Sequence, residues 1–397
     1  KIMPKKISFF LDLIFDDTFY LNCLKRVNNT LSNHNLILPQ KTNDVFKLHS
    51  VRSIYDIPNY LKLDFIEAET TIKTLKAPLY HGFLINLQNY QNLDTYLSKK
   101  LGRGRKSQLK RYKKRLDFCM HPTYRIFFGD ISKTEYTFLF DTLKLLTKKR
   151  FNQKEEINFE LPYLDKYYDL MFKLIRNKRA SIFVIYHDTK PICITLNFIQ
   201  KQTLFHWNSC FDIDYNMFNL GHVNMLNHLE WSFDNNIKVF DMGRGDFHHK
   251  RKYVDTKYLY EELFLLTSNN IISKLKFYYN FGVIYVRYYL ILFLKKVNAQ
   301  KIYSVYSTYK YRVLAKPNKL KEQDTVSYQL IDMLPDLKHL KQVRYFDVES
   351  NMLVAINKFV FDKRQKVSHL IIYAHSKKLH TYFLESDKFY AKITREN

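Results

Sequence analysis

The sequence predicts an α+β fold, mixed central sheets flanked by helices. Three observations carry this expectation. Two apolar runs flank Asp188-Thr189-Lys190-Pro191 as a hairpin does, and a third strand-like run follows. Segments with a 3.6-residue apolar period stand before and after that group. Apolar residues form 46% of the 397, Tyr (31) and Phe (32) are abundant, and Gly (8) and Pro (9) are scarce, which excludes a disordered chain. The length suggests two or three domains.

Residues 1–80 mix short apolar runs with polar turns and read as α/β. Leu79–Leu87 reads as a strand. The stretch from Leu93 to Phe118 reads as a helix with a break at Gly102–Gly104. Tyr124–Ile131 reads as a strand. Ser132 and Glu135 have the spacing of a capping box for a helix reaching Arg150, and a second helix covers Leu164–Arg176. The hairpin is Ala180–His187 with Ile192–Gln200, followed by the strand Thr203–Phe211. Gly221–Asn236 is helical, with Val223, Leu226 and Leu229 on one face. Lys238–Met242 is a short strand and Lys257–Leu266 a further one. An apolar helix covers 273–297. From Lys316 the composition shifts to a linker, and the runs Met352–Phe361, His369–His375 and Leu379–Glu385 read as strands. The implied division is 1–95, an N-terminal α/β domain; 96–270, the main domain; 271–315, the apolar helix region; and 316–397, a C-terminal extension or small domain.

The net charge is +26, so an anionic partner is expected: nucleic acid, anionic lipid, or phosphate on a substrate. Cys23, Cys119, Cys193 and Cys210 are widely spaced, which points to a reducing, cytoplasmic compartment. The N-terminal apolar run is interrupted by Asp12 and does not read as a signal peptide.

Three constellations stand out. At the start of the helix after Phe211, Gly221 leaves backbone N–H groups open to a phosphate, with Asn216, Asn219 and His222 as further donors. In "DMGRGDFHHKRKY", Gly243 and Gly245 permit unusual backbone angles. They leave Asp241, Arg244, Asp246, His248, His249 and Lys250 projecting from the end of a strand. Asp or His suits a general base there, and Lys250 or Arg244 an anion holder. The paired histidines raise a metal site, but no other ligand spacing supports one, and none is expected. Lys99–Arg115 holds ten bases and no acid. Leu109, Tyr112 and Leu116 form its inner stripe, and Arg103 and Arg105 stand beside the glycines. Nonspecific RNA binding also fits such a helix.

The order of these pieces resembles the BioF2-like/CelD-like branch of GNAT-superfamily acetyltransferases, relatives of the Fem-type aminoacyltransferases. The late motif of that branch looks like D-F-x-x-G-x-x-x-Y-K. Asp241, Gly245 and Lys250 match it, while His249 stands where tyrosine is usual. The resemblance covers about 95–267. It implies a GNAT fold, as tandem GNAT-like domains with a cleft between them. It also implies acyl transfer from acetyl-CoA or another acyl-CoA to an amine or hydroxyl. The implied roles are Asp241 or Asp246 as base or acceptor-orienting group and Lys250 as the anion-stabilising cation. Gly221, His222, Asn219, Arg105 and Arg244 would hold the cofactor, and His206, Trp207 and His249 would line the substrate cleft. The pyrophosphate loop departs from the usual Q/R-x-x-G-x-G/A, reading Phe218-Asn219-Leu220-Gly221-His222-Val223. The donor is therefore open between acyl-CoA, an acyl carrier and aminoacyl-tRNA. An inactive GNAT scaffold is a third reading.

Phe277–Lys296 is about as long as a membrane span. Its Asn280, Gly282, Arg287 and tyrosines favour a helix packed on protein or lying in a membrane interface. Membrane-surface association through 277–296 would place a bacterial cytoplasmic enzyme peripherally on the inner membrane. That position suits a small-molecule or glycan acceptor of envelope polysaccharide or precursor biosynthesis, with tRNA as a partner under the Fem-like reading.

Overall fold

Asp188 adopts a left-handed conformation (φ 52°), which closes the expected hairpin. The turn joins two strands of a nine-stranded mixed sheet. A computed structural model describes residues 5–16, 20–21, 24–38, 45–46, 51–65, 73–155, 160–245, 248–266, 270–297 and 326–395. The strands are β1 (Lys5–Ser8), β2 (Val51–Pro58), β3 (Lys73–Asn86), β4 (Thr123–Phe127) and β5 (Ala180–His187). They continue with β6 (Lys190–Gln200), β7 (Thr203–Phe211), β8 (Val239–Arg244) and β9 (Thr256–Leu266). Their order across the sheet is β1-β2-β9-β3-β8-β7-β6-β5-β4. Within this sheet, among the described residues, only β1–β2 and β7–β8 pair in parallel.

The expected mixed sheet flanked by helices is present, and it runs unbroken across residue 95. β9 lies between β2 and β3, so a late strand completes the N-terminal half. Beyond the single helical turn Leu93–Tyr96, the described α-helices are α1 (Gly102–Met120), α2 (Lys133–Gln153), α3 (Leu161–Arg176), α4 (Leu220–Asp234), α5 (His248–Tyr253), α6 (Ile271–Lys296) and α7 (Ser350–Lys363). The expected break before α1 is a π-helical turn, Leu97–Leu101, ending at Gly102 with φ 77°.

Alternation along the strands sorts side chains onto two faces. Val184, Leu196, Phe198, Phe205 and Val239 pack with α2 and α3. Ile85, Ile199, Leu204, Phe240 and Met242 pack with α4 and with Leu109 of α1. Half of the expected capping box forms. Ser132 Oγ accepts from the Glu135 N–H at 3.1 Å, but the Glu135 carboxylate accepts from Tyr186 on β5 instead of turning back.

The C-terminal segment forms a second, antiparallel sheet: β10 (Val326–Ile331), β11 (Leu340–Val343), β12 (Ile371–His375), β13 (Thr381–Glu385) and β14 (Tyr390–Arg395), ordered β10-β14-β13-β12-β11. The strand expected at Met352–Phe361 is instead part of α7. Met352, Ile356, Phe359 and Val360 recur at helical spacing and are all buried. They join Leu116 and Met120 of α1 and Phe218 in one core, so this sheet packs back on the main body. Asn357 Nδ2 donates to the Asp214 carbonyl at 2.9 Å, and Ser350 Oγ donates to the Asp214 carboxylate at 2.8 Å. The linker expected from Lys316 lies outside the described residues.

Gly82 on β3 faces Tyr258 on β9. A Cβ at this glycine would lie 2.2 Å from the Tyr258 ring, so the ring passes where any other side chain would begin. Gly82→Ala should displace it and lower stability by about 1–3 kcal/mol. The change should appear as a lower urea midpoint at unchanged slope.

Candidate functional site

β7 and β8 pair over only three positions, Thr203↔Val239, Leu204↔Phe240 and Phe205↔Asp241. Beyond them β7 stays with β6 as far as Phe211, and β8 stays with β3 as far as Arg244. The two parallel strands therefore part in the middle of the sheet. Backbone groups along a parting need partners from elsewhere.

Lys250 on α5 supplies some of them. Its Nζ donates to the Met242 carbonyl at 2.6 Å and to the Arg244 carbonyl at 2.7 Å. Burial lowers the Lys250 pKa to about 8, the Asp241 charge opposes the shift, and the Arg244 charge adds to it. A neutral amine keeps two N–H groups, so losing a proton near pH 8 leaves both bonds possible.

On the α4 face, four expected residues converge. Asn219 is left-handed (φ 56°) and precedes a helix start with no side-chain cap. Gly221 leaves the first turn open, a Cβ there meeting only Phe211 at 3.8 Å. His222 Nδ1 lies 2.7 Å from Tyr253 Oη, and its ring stacks on Tyr112 of α1. Arg105 reaches the same Tyr253 with its charge, while its buried Nε has no hydrogen-bond partner among the described residues. A helix N-terminus beside an unsatisfied guanidinium N–H attracts an anion. The residues fit a phosphate-bearing donor.

Arg244, expected with that group, turns to the opposite face. Its guanidinium lies 5.9 Å from the centre of the Tyr80 ring. Desolvation there is outweighed by the charges of Tyr80 and Asp56 and by a Tyr80 hydrogen bond, so its pKa is raised. Asp56 is also raised, by burial, against a Tyr80 hydrogen bond and the Arg244 charge. Tyr167 of α3 stands beside Arg244 and packs on Trp207. Tyr80 and Asp56 carried no motif in the sequence, and only the pairing of β9 with β2 and β3, and of β3 with β8, brings them here.

His206 and Trp207, expected to line one cleft, lie on opposite faces because neighbours on a strand alternate. His206 lies edge-on to His228 and tilted against Phe240 on the α4 side. Trp207 packs on Phe10, Phe15 and Phe198, with Tyr167 at its rim.

Asp241 is 1% exposed, so it is no surface base. Its carboxylate accepts from Tyr60, from Tyr258 at 2.7 Å and from the Gly243 N–H at 2.6 Å. Burial raises its pKa, and these three bonds pull it back in part. Tyr258 and Tyr260 alternate along β9 onto the Asp241 side, and the register shifts after Tyr260. Gly243 (φ 67°) and Gly245 (φ 100°) both take backbone angles that favour glycine. Asp246 lies outside the described residues, and His249 is placed only as a residue of α5.

Residues 103–251 match the acetyltransferase (GNAT) domain family. The comparison with curated proteins found no match. Solved structures similar to this chain include L-PGS from Bacillus licheniformis, at 12% identity over 58% of this chain and 72% of that one, TM-score 0.36. FemX is similar at 12% identity over 49% and 63%, TM-score 0.36. A tandem GNAT protein from the clavulanic acid biosynthesis pathway is similar at 8% identity over 54% and 64%, TM-score 0.30.

Asp241→Asn should lower stability by about 1–3 kcal/mol, because an amide N–H would then face hydroxyl donors in a buried place. Chemical denaturation measures it. Lys250 has a second signature. In the unfolded chain its amine stays protonated up to about pH 10.4. Between about pH 8 and that value the unfolded state binds more protons, so stability rises with pH. Lys250→Met should remove that rise, read from urea midpoints of both forms between pH 7 and about 9.5.

Proposed function

From the premise that residues 103–251 form a GNAT-type domain, we propose that the chain moves an acyl group from acyl-CoA, or a similar thioester, to an amine or hydroxyl. The observation that carries this reading is the parting of β7 from β8. A donor arm with amide groups can pair with the strand edges there, as an added strand does. Its phosphates would then meet the N-terminus of α4 and Arg105.

The acceptor would enter from the other face, between Tyr80, Asp56, Tyr167, Trp207 and Arg244. Aromatic rings bind its apolar part, and the Asp56 carboxylate or Arg244 guanidinium orients its polar groups. Holding both reactants in place can supply several kcal/mol. The acceptor's nitrogen or oxygen attacks the thioester carbonyl carbon, the C–S bond breaks, and the thiolate leaves. One proton must leave the acceptor and one must reach the sulfur. Lys250, at the parting with a pKa lowered to about 8, is tuned to take the acceptor's proton. Asp241 acts at a distance, holding the strand end that carries Met242 and Arg244. Cys119, Cys193 and Cys210 are buried and their thiols are pushed up by burial, so none serves as nucleophile.

A second reading rests on α1. Lys99 in the preceding π-helical turn, with Arg103, Lys110, Arg111 and Lys114 on α1, is exposed. Such a basic face suits an aminoacyl-tRNA donor.

Calorimetry with CoA, acetyl-CoA and bulk tRNA tests both. Saturable acyl-CoA binding, weakened roughly tenfold or more by Arg105→Ala, supports the first reading. Salt-steep tRNA binding without CoA binding supports the second, and binding of neither would favour an inactive scaffold. In a transfer assay, Lys250→Met should lower kcat by roughly 10²–10⁴ with donor affinity kept. The parent rate should climb with pH through about 8; a rate that falls there would make Lys250 an anion-holding cation instead.

A further inference from the structure

α6 is 26 residues long, carries Lys274, Lys276, Arg287, Lys295 and Lys296, and contains no acid. Phe277 is its one buried residue. Phe277, Phe281 and Ile284 pack on Leu75, Ala77, Phe264 and Leu266 of β3 and β9. Tyr288 Oη approaches His81 at 3.4 Å.

At about 100° per residue, the pole opposite that contact carries Leu275, Tyr279, Val283, Val286, Leu290 and Phe293. All six are exposed, Tyr279 by 72% and Leu275 by 66%. The same geometry puts Lys276 and Arg287 along one flank and Lys274 and Lys296 along the other. An apolar pole bordered on both flanks by bases matches the cross-section of a helix lying at an anionic lipid surface. The apolar side chains reach the acyl boundary, the bases meet headgroups, and the tyrosines sit between.

We propose that α6 docks the folded chain onto an anionic membrane surface, lying parallel to it. This is independent of the acyl-transfer reading. A span is disfavoured by the packing. The helix is held to β3 and β9 as far as Tyr288, and the remainder to Lys296 is only roughly 12 Å long. The hydrocarbon core is roughly 30 Å. The bases decide between lipid and a second copy of the chain. A self-facing interface would bring Arg287 and the lysines of α6 toward their own kind, with no acid in the helix to answer them.

The experiment is co-sedimentation of the full chain with vesicles of phosphatidylcholine alone, or with about a third phosphatidylglycerol. Expected is binding to the mixed vesicles, weakened by raising salt from about 0.05 to 0.5 M. Val286→Glu with Leu290→Glu should cut it roughly tenfold or more. Arg287→Gln should cut it roughly fivefold, on anionic vesicles only. The urea midpoint and circular dichroism of each variant should match the parent, since the changed side chains face solvent. As a check that needs no variant, amide exchange across 271–297 should slow when mixed vesicles are added.

Equal binding to both vesicle types, or none, overturns the proposal. So does a concentration-dependent dimer that Val286→Glu dissociates while vesicle binding is absent. Resistance of bound chain to alkaline carbonate extraction would show insertion and likewise overturn it.

Discussion

The buried carboxylate of Asp241 is the constraint on which the middle of this molecule depends. Three donors reach it from three places: Tyr60 from the turn after β2, Tyr258 from β9, and the Gly243 N–H from its own chain. A carboxylate taken out of water is expensive unless such partners surround it. Gly82 has to lack a side chain so that the Tyr258 ring can lie across β3. The N-terminal half, the late strand β9 and the glycine loop are thereby locked to one another.

From that lock the parting follows. Gly243, tied back to Asp241, turns the end of β8 away from an ideal strand, while β7 keeps its pairing with β6 along its whole length. The Met242 and Arg244 carbonyls then take the Lys250 ammonium as partner. The lock sits on the face of α2 and α3, while Arg105, His222 and Tyr253 gather on the face of α4. Lys250 lies where the two meet. Such an arrangement suits the proposed approach of donor and acceptor from opposite sides of one sheet.

The remaining parts attach without disturbing this centre. The C-terminal sheet is held through α7, whose Asn357 and Ser350 bond to Asp214 just before α4. α6 is held by Phe277, Phe281 and Ile284, and its outer side chains, Leu275, Tyr279 and Val286 among them, are exposed. His81, which Tyr288 approaches, precedes Gly82 in β3, so the outer helix and the buried lock meet on adjacent residues.

The sequence by itself determined the elements whose signals are local. The hairpin at Asp188, the strand Thr203–Phe211, the N-cap at Ser132 and the helix beginning beside Gly221 each need only a few neighbouring residues to declare themselves. The glycine pair at 243 and 245 and the basic run of α1 were legible for the same reason. The tertiary structure decided what depends on distance along the chain. Asp241 reads in sequence as a reactive acid, and only Tyr60 and Tyr258 turn it into a buried tie. Arg244 reads as a phosphate ligand, and only the pairing of β8 with β3, and of β9 with β3 and β2, sends it to Tyr80 and Asp56. Met352–Phe361 is apolar enough to read as a strand, and the core shared with α1 selects its helical face. Local propensity acts within a few residues, whereas burial and charge depend on which distant strands become neighbours.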